Sequence, residues 1–212
     1  MAASDYTTLA DVKLHLQIPT DDTHLDGWLN FIIPIVSREI DGHCRRHFWP
    51  KTATYYYDYQ EAKKLFLKRD LWSVTEIKHG TDTAEVLDSS HYFLYPEIGP
   101  PYQWIEINHS STVNFRFSQY TTQQSIKITG VWGYLEDGAI PGRVKLAACA
   151  WINYLNRARL DTGVKSKSIG NYSVSYSSVL DTLKDGPPNE VKNIFDKLVR
   201  RTDFATNIRD KG

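Results

Sequence analysis

Few residues of this chain are spaced for chemistry, and the first to weigh are His43, Cys44 and His47. Two histidines four apart on a helix share a side and can grip a transition metal, and Glu39, one turn earlier, would complete a ligand set. The same run also reads as the basic end of a helix, where His and Arg offset exposed carbonyls and the negative end of the dipole. A motif with no supporting site favours this second reading. The chain has no Gly-rich phosphate loop, Gly-x-Ser-x-Gly elbow or Cys-x-x-Cys pair, and Asp137-Gly138 has the form of a turn rather than of a catalytic acid. The residues thus predict no enzyme, no cofactor and no metal.

Three further groups could bind rather than react. Arg157, Arg159, Lys165 and Lys167 could touch DNA phosphates, or simply solvate a helix end. Tyr55, Tyr56, Tyr57 and Tyr59 could stack bases, although aromatic alternation along a strand more often packs a sheet. Arg200, Arg201, Phe204, Ile208 and Arg209 could form a docking tail or be a frayed terminus of no consequence, and the apolar residues, unusual in an end that is only solvated, keep the two readings about level.

The elements that must position these groups follow from periodicity. Thr8 and Asp11 form a capping-box-like start for a first helix carrying Leu9, Val12 and Leu16 and ending near Pro19. Asp21 and Asp22 are expected to cap a second, in which Leu25, Leu29, Ile32, Ile33, Val36, Ile40 and Cys44 hold a helical period, with Pro34 kinking and not ending it. After Pro50 the period drops to about two. Strands are expected over 53–59, 64–67, 73–79, 92–95, 103–108, 113–117 and 125–134, separated by turn-forming clusters. The helical period returns behind Pro141, where Val144, Ala147, Ala148, Trp151, Ile152 and Leu155 make an apolar stripe. Residues 169–176, carrying Ile169, Tyr172, Val174 and Tyr176, alternate like a strand or an extended arm and are expected to be a loop that orders on contact. Pro187 and Pro188 open a last helix through Val191, Ile194, Phe195 and Leu198. The fold class expected is α+β: a helical bundle of residues 1–50 and 139–201, an antiparallel sheet or small sandwich of residues 51–138 inserted in it, and a mobile tail of residues 202–212.

Composition narrows the function. Across 212 residues, 25 Lys and Arg balance 25 Asp and Glu, so no global field holds nucleic acid and any contact with DNA must be local or nonadhesive. No apolar run approaches a membrane span, and Met1 to Tyr6 lack the layout of an export signal. Cys44 and Cys149 are too few for a disulfide framework and suit a reducing compartment as small buried apolar residues. The many Tyr and Trp rings suit interfaces and lean toward assembly.

In order along the chain, Leu9-x-x-x-Lys13-x-x-Leu16, Asp21, Asp22 and Leu25, and a long helix closing in Arg45, Arg46 and Phe48 are followed by Leu65-x-Leu67 and Ser73-Val74-x-x-Ile77. Then come Val131-Trp132-Gly133-Tyr134, Ile140-Pro141 with Val144-Lys145-x-Ala147, Tyr154-x-x-Arg157, and Ile169-Gly170-x-Tyr172-Ser173-Val174-Ser175-Tyr176. This order resembles the head-tail connector (adaptor, or head-completion) proteins of tailed bacteriophages. Leu71 and Trp72 stand where members often carry a proline, and the β region is long for the family. The resemblance implies a structural virion protein in the phage neck, a ring of roughly twelve copies closed by head-to-tail contacts. Its partners would be the portal and a tail-proximal protein, with genomic DNA passing without sequence preference and assembly taking place in the host cytoplasm. It also implies a portal-docking tail at Arg200 to Arg209 and an inter-subunit arm at Ile169 to Tyr176. The rival readings are a stand-alone β-sandwich binding module on a helical stalk and, behind it, a metal hydrolase at His43 and His47.

Overall fold

The computed structural model describes residues 5–59, 63–80, 85–110, 115, 122–160, 166–169, 172–175, 183 and 185–200. The described chain forms two compact units, residues 1–45 with 141–200 and residues 46–140.

The first unit is helical. α1 (Leu9–Leu16) opens with the expected capping box: the Asp11 amide donates to Thr8 Oγ1 at 3.1 Å and the Thr8 amide to Asp11 Oδ2 at 3.2 Å. It closes on Gln17 in the left-handed conformation, with the Ile18 amide donating back to the Lys13 carbonyl. α2 (Asp26–Cys44) runs through Pro34 without a break. Its start corrects the sequence expectation, since neither Asp21 nor Asp22 caps it. The Asp22 carboxylate instead accepts the His24 amide at 3.0 Å in a local turn, and the helix begins behind Leu25 with no side-chain cap.

α3 (Gly142–Leu160) starts behind Pro141, whose carbonyl accepts the Val144 amide, and it packs on α1, on α2 and on α4 (Asn189–Asp196). The expected stripes meet here. Leu29, Ile32, Val36 and Ile40 of α2 are buried, as are Val144, Ala148, Trp151, Ile152 and Leu155 of α3 and Val191 and Phe195 of α4. Trp151 is 1% exposed, with its ring centroid 6.2 Å from that of Phe195. Both cysteines are buried and free; Cys149 Sγ lies 3.0 Å from Thr7 Oγ1, and burial raises its thiol pKa above the usual range. Between α3 and α4 the chain forms a hairpin of β7 (Ser166–Ile169) and β8 (Tyr172–Ser175), registered Ile169 to Tyr172.

The second unit is an antiparallel sheet of β1 (Lys51–Tyr57), β2 (Lys64–His79), β3 (Glu85–Val86), β4 (Tyr92–Tyr95), β5 (Tyr102–Ile107) and β6 (Ile126–Trp132) in the order β1-β6-β2-β5-β4, with β3 on β2. Of the two expected forms, sheet or sandwich, it is a sheet. The two strands expected at 64–67 and 73–79 are one. β2 is continuous through the charged run Lys68-Arg69-Asp70, pairing β5 with its first half and β6 with its second across register shifts. β3 was not foreseen, being two residues long. Of the strand expected at 113–117 only Phe115 lies among the described residues, and it is buried.

Alternation fixes the faces. β6 buries Ile126, Ile128 and Trp132, and Tyr57, Leu65, Leu67, Leu71, Ile77, Ile105 and Ile107 join them in one core. The β1 tyrosines serve that sheet: Tyr57 is buried, and Tyr55 meets Trp132 edge-on at 4.8 Å, while Tyr56 faces outward. Gly130 is required where β6 crosses the β2 bulge, because a Cβ there would lie 2.1 Å from the Ser73 carbonyl oxygen. Asp137 and Gly138 form the expected turn, both at positive φ, with Glu136 and Ala139 exchanging two 2.9 Å bonds around it.

Candidate interaction surface

The metal reading fails on backbone geometry. α2 ends at Cys44 and Arg45 turns left-handed at φ 53°, so His43 and His47 are not successive turns of one helix. His43 Nε2 lies 2.9 Å from Asp196 Oδ1, an α2–α4 contact. His47 packs its ring 5.2 Å from that of Trp49, where burial holds its pKa below the ordinary histidine value. Among the described residues, no three His, Cys, Asp or Glu side chains are grouped to hold a metal.

What the molecule presents is contact surface. α3 buries one face and on another carries Leu146, Ala150 and Tyr154 at four-residue spacing, with Leu146 58% and Tyr154 45% exposed. Tyr154, Asn153 and Arg157 line a groove of about 770 Å³ together with His15 of α1 and the segment from Asp185 to Val191. Phe31 and Leu14 are also exposed on this unit.

On the sheet, Phe66, Trp104 and Tyr95 occupy one cross-strand row, Trp104 being stacked on Tyr95 at 5.3 Å with 6° between planes. In the adjoining row, Lys64 bridges Glu106 at 3.3 Å beside Phe93, which is 51% exposed. The row ends at β4, which has no partner on its outer side among the described residues.

The residues singled out from sequence fall as follows. Arg157 is exposed at the groove, whereas Arg159 lies over the Trp28 ring at 5.5 Å. Lys167 is in β7, and Lys165 lies outside the described residues. The arm residues Ile169, Tyr172 and Val174 belong to a hairpin, with Ile169 and Tyr172 opposite each other across its end; Tyr176 lies outside the described residues. The Arg200 amide donates to the Cys44 carbonyl at 3.0 Å, and Arg201, Phe204, Ile208 and Arg209 lie outside the described residues.

Sequence reasoning missed three buried polar ties. Lys13 is 3% exposed, and its ammonium donates to the carbonyls of Asp22 at 2.8 Å and Thr20 at 3.3 Å and pairs with Asp26 at 2.6 Å. Ser37 donates to the Ile33 carbonyl and accepts the Tyr6 amide at 3.0 Å, fixing the segment that leads into α1. Arg46 reaches the buried Asp70 at 3.6 Å and lies 4.6 Å over the Tyr134 ring, while the Tyr134 amide donates to the His47 carbonyl and that of Gly133 to the Asp70 carbonyl. Lys13, Arg46 and Tyr134 all fall in the motifs quoted above, but nothing in their spacing distinguishes a buried cation from a surface one.

No protein-family model and no curated protein matches the sequence. The fold does have a match among solved structures. With 14% identity and a TM-score of 0.51, over 89% of this chain and 97% of the other, it is similar to a chain in the neck of an empty gene transfer agent particle computed with sixfold symmetry.

Proposed function

We propose that this chain is a structural protein of a phage-type neck that assembles into a ring between the portal and the tail and lets DNA through. The observation that carries the reading is the fold likeness to a neck chain, which extends over both units and nearly the whole of that chain. The motifs that suggested a connector lie on the features that build the fold: Lys13 ties α1 to the loop before α2, Trp132 and Tyr134 anchor the end of β6, and α3 is the helix on which the others pack. A sixfold neck accommodates a ring of roughly twelve, two copies to each repeat. Charge balance fits a channel that must not grip its cargo. The likeness covers helices and sheet together, which favours one neck subunit over a β module on a stalk.

In this reading the helical unit is the connector core and the sheet its insertion. The segment from Arg200 through Arg201, Phe204, Ile208 and Arg209 docks on the portal. Guanidinium forks suit carboxylates, and Phe204 and Ile208 share a face if that segment is helical when docked. The test is to mix purified protein with its cognate portal and image the product by electron microscopy. A closed ring on the portal is expected, and deletion of residues 202–212 should abolish attachment while leaving the melting temperature of the free protein within about 1 °C. A monomer that leaves the portal bare at high concentration refutes the proposal.

A further inference from the structure

We infer that β8 of one copy adds to the free edge of β4 in the next copy, so that the β7–β8 hairpin joins subunits by extending the sheet. The inference rests on the ring reading and assigns one of its subunit contacts.

Among the described residues, β4 and β8 each have one side without a paired strand. A two-stranded hairpin is marginal in water without a third strand or a packed face, and the main contacts of β7 and β8 are with each other. Among the described residues β4 ends the sheet, and no charged side chain guards its edge. Its sequence Tyr92-Phe93-Leu94-Tyr95 carries no charge, and Phe93 is half exposed. The opposite sheet edge, β1, carries Lys51, and β7 carries Lys167; β4 and β8 are the two uncharged edges, each four residues long.

Their hydrogen-bonding patterns also match. The Asn108 amide donates to the His91 carbonyl, and alternation along β4 therefore turns the Phe93 and Tyr95 amides and carbonyls toward β5 and those of Tyr92 and Leu94 outward. In a hairpin closed by Ile169 and Tyr172 around two residues, the closing pair is hydrogen-bonded, which turns the main-chain groups of Ser173 and Ser175 outward from β8. An antiparallel pairing of Leu94 with Ser173 and Tyr92 with Ser175 then satisfies four outward donors and four outward acceptors at once. The same register sets Tyr172 opposite Tyr95 and Val174 opposite Phe93. Tyr172 thereby takes the next position of the row Phe66, Trp104, Tyr95, and Val174 a position beside the exposed Phe93. Because donor strand and acceptor edge are different parts of the chain, the contact is head-to-tail, as a closed ring requires.

The test uses the full chain with one added cysteine per variant, Phe93→Cys or Val174→Cys; the native Cys44 and Cys149 are buried. Opposed residues in this register have Cβ atoms about 5 Å apart, within reach of a short bismaleimide. Rings assembled on the portal from an equal mixture should give a crosslinked dimer that neither variant gives alone. Leu94→Pro removes one outward amide and leaves the bonds to β5; placed in the Phe93→Cys chain it should cut that dimer at least about fivefold with the fold intact by circular dichroism. Rings without the mixed dimer, or a yield indifferent to Leu94→Pro, overturn this docking and leave the ring reading standing. Failure of the unmodified protein to form rings overturns both.

Discussion

Lys13 tests whether a buried cation holds the helical unit together. Its ammonium lies at the junction of α1, the 17–25 loop and the start of α2, bonded to two carbonyl oxygens and one carboxylate. Bonds of this charge-assisted kind contribute about 1.5–3 kcal/mol each, and removal of one member of a fully buried pair costs about 3–5 kcal/mol. Here the carbonyls belong to an exposed loop and the Asp26 side chain is 26% accessible, so water can reach part of what Lys13 leaves behind. Lys13→Met, which keeps the buried stem, should therefore cost about 2–3 kcal/mol. Asp26→Asn, which keeps both carbonyl bonds, should cost about 1 kcal/mol, and the double variant should reveal a coupling of at least about 0.5 kcal/mol. Urea unfolding followed by helical circular dichroism measures all three. A Lys13→Met variant within about 0.5 kcal/mol of the parent would place the ammonium among ordinary surface charges and refute the reasoning.

Trp151→Ala should lower the stability of the helical unit by about 3–5 kcal/mol in the same assay, because the ring is 1% exposed and packs on Phe195. Gly130→Ala should destabilise the sheet by more than an ordinary surface change, at least about 2 kcal/mol, since the new methyl would meet the Ser73 carbonyl at 2.1 Å; Gly27→Ala, with nothing within 4 Å, is the control. Burial lowers the His47 pKa below 6.5, so the folded protein binds its proton less readily than the unfolded chain does. The resulting stability is present above pH 6.5 and is lost as the pH falls through the lower folded value, and thermal melts from pH 7.5 to 5 should show a loss that His47→Asn reduces.

The periodic elements were readable because each uses one physical signal. The α3 stripe from Val144 to Leu155, the Thr8 capping box and the Asp137-Gly138 turn need only local sequence, and the structure keeps all three. Local rules failed where tertiary contacts compete. Asp22 looks like a helix cap from its neighbours, but its carboxylate is engaged by His24 and its carbonyl by Lys13. Lys68-Arg69-Asp70 fell between two expected strands, yet β2 runs through it with Asp70 buried beside Arg46. Helix spacing from His43 to His47 was broken by a left-handed Arg45, a residue with no glycine to announce it. The candidate surface was less legible than the fold. Tyr and Trp enrichment signalled interfaces, but the exposed stripe on α3 and the uncharged edge at β4 emerge only once pairing order and burial are known.

The basic residues in the last turn of α3 and beyond it allow a last prediction about DNA. Of the four named from sequence, Arg159 stacks on Trp28, and a guanidinium held on an indole face is a poor partner for a moving phosphate. Arg157 is exposed, but it shares its groove with Asp185 and Glu190, whose carboxylates offset its field. Even with Lys165 and Lys167 both engaged, a subunit would neutralise about three phosphates, for a salt dependence no steeper than about −3 in log K against log salt. The free protein should therefore bind a short duplex with a Kd of about 10⁻⁴ M or weaker at physiological salt, equally for any sequence. Arg157→Ala should flatten the slope by about one, and Arg159→Ala should leave the slope unchanged while costing stability through lost packing on Trp28. Fluorescence anisotropy across a salt series measures both quantities. Submicromolar binding, a slope steeper than about −5, or a preferred sequence would mean that the chain grips DNA, and a subunit that grips DNA could not line the passive channel proposed above.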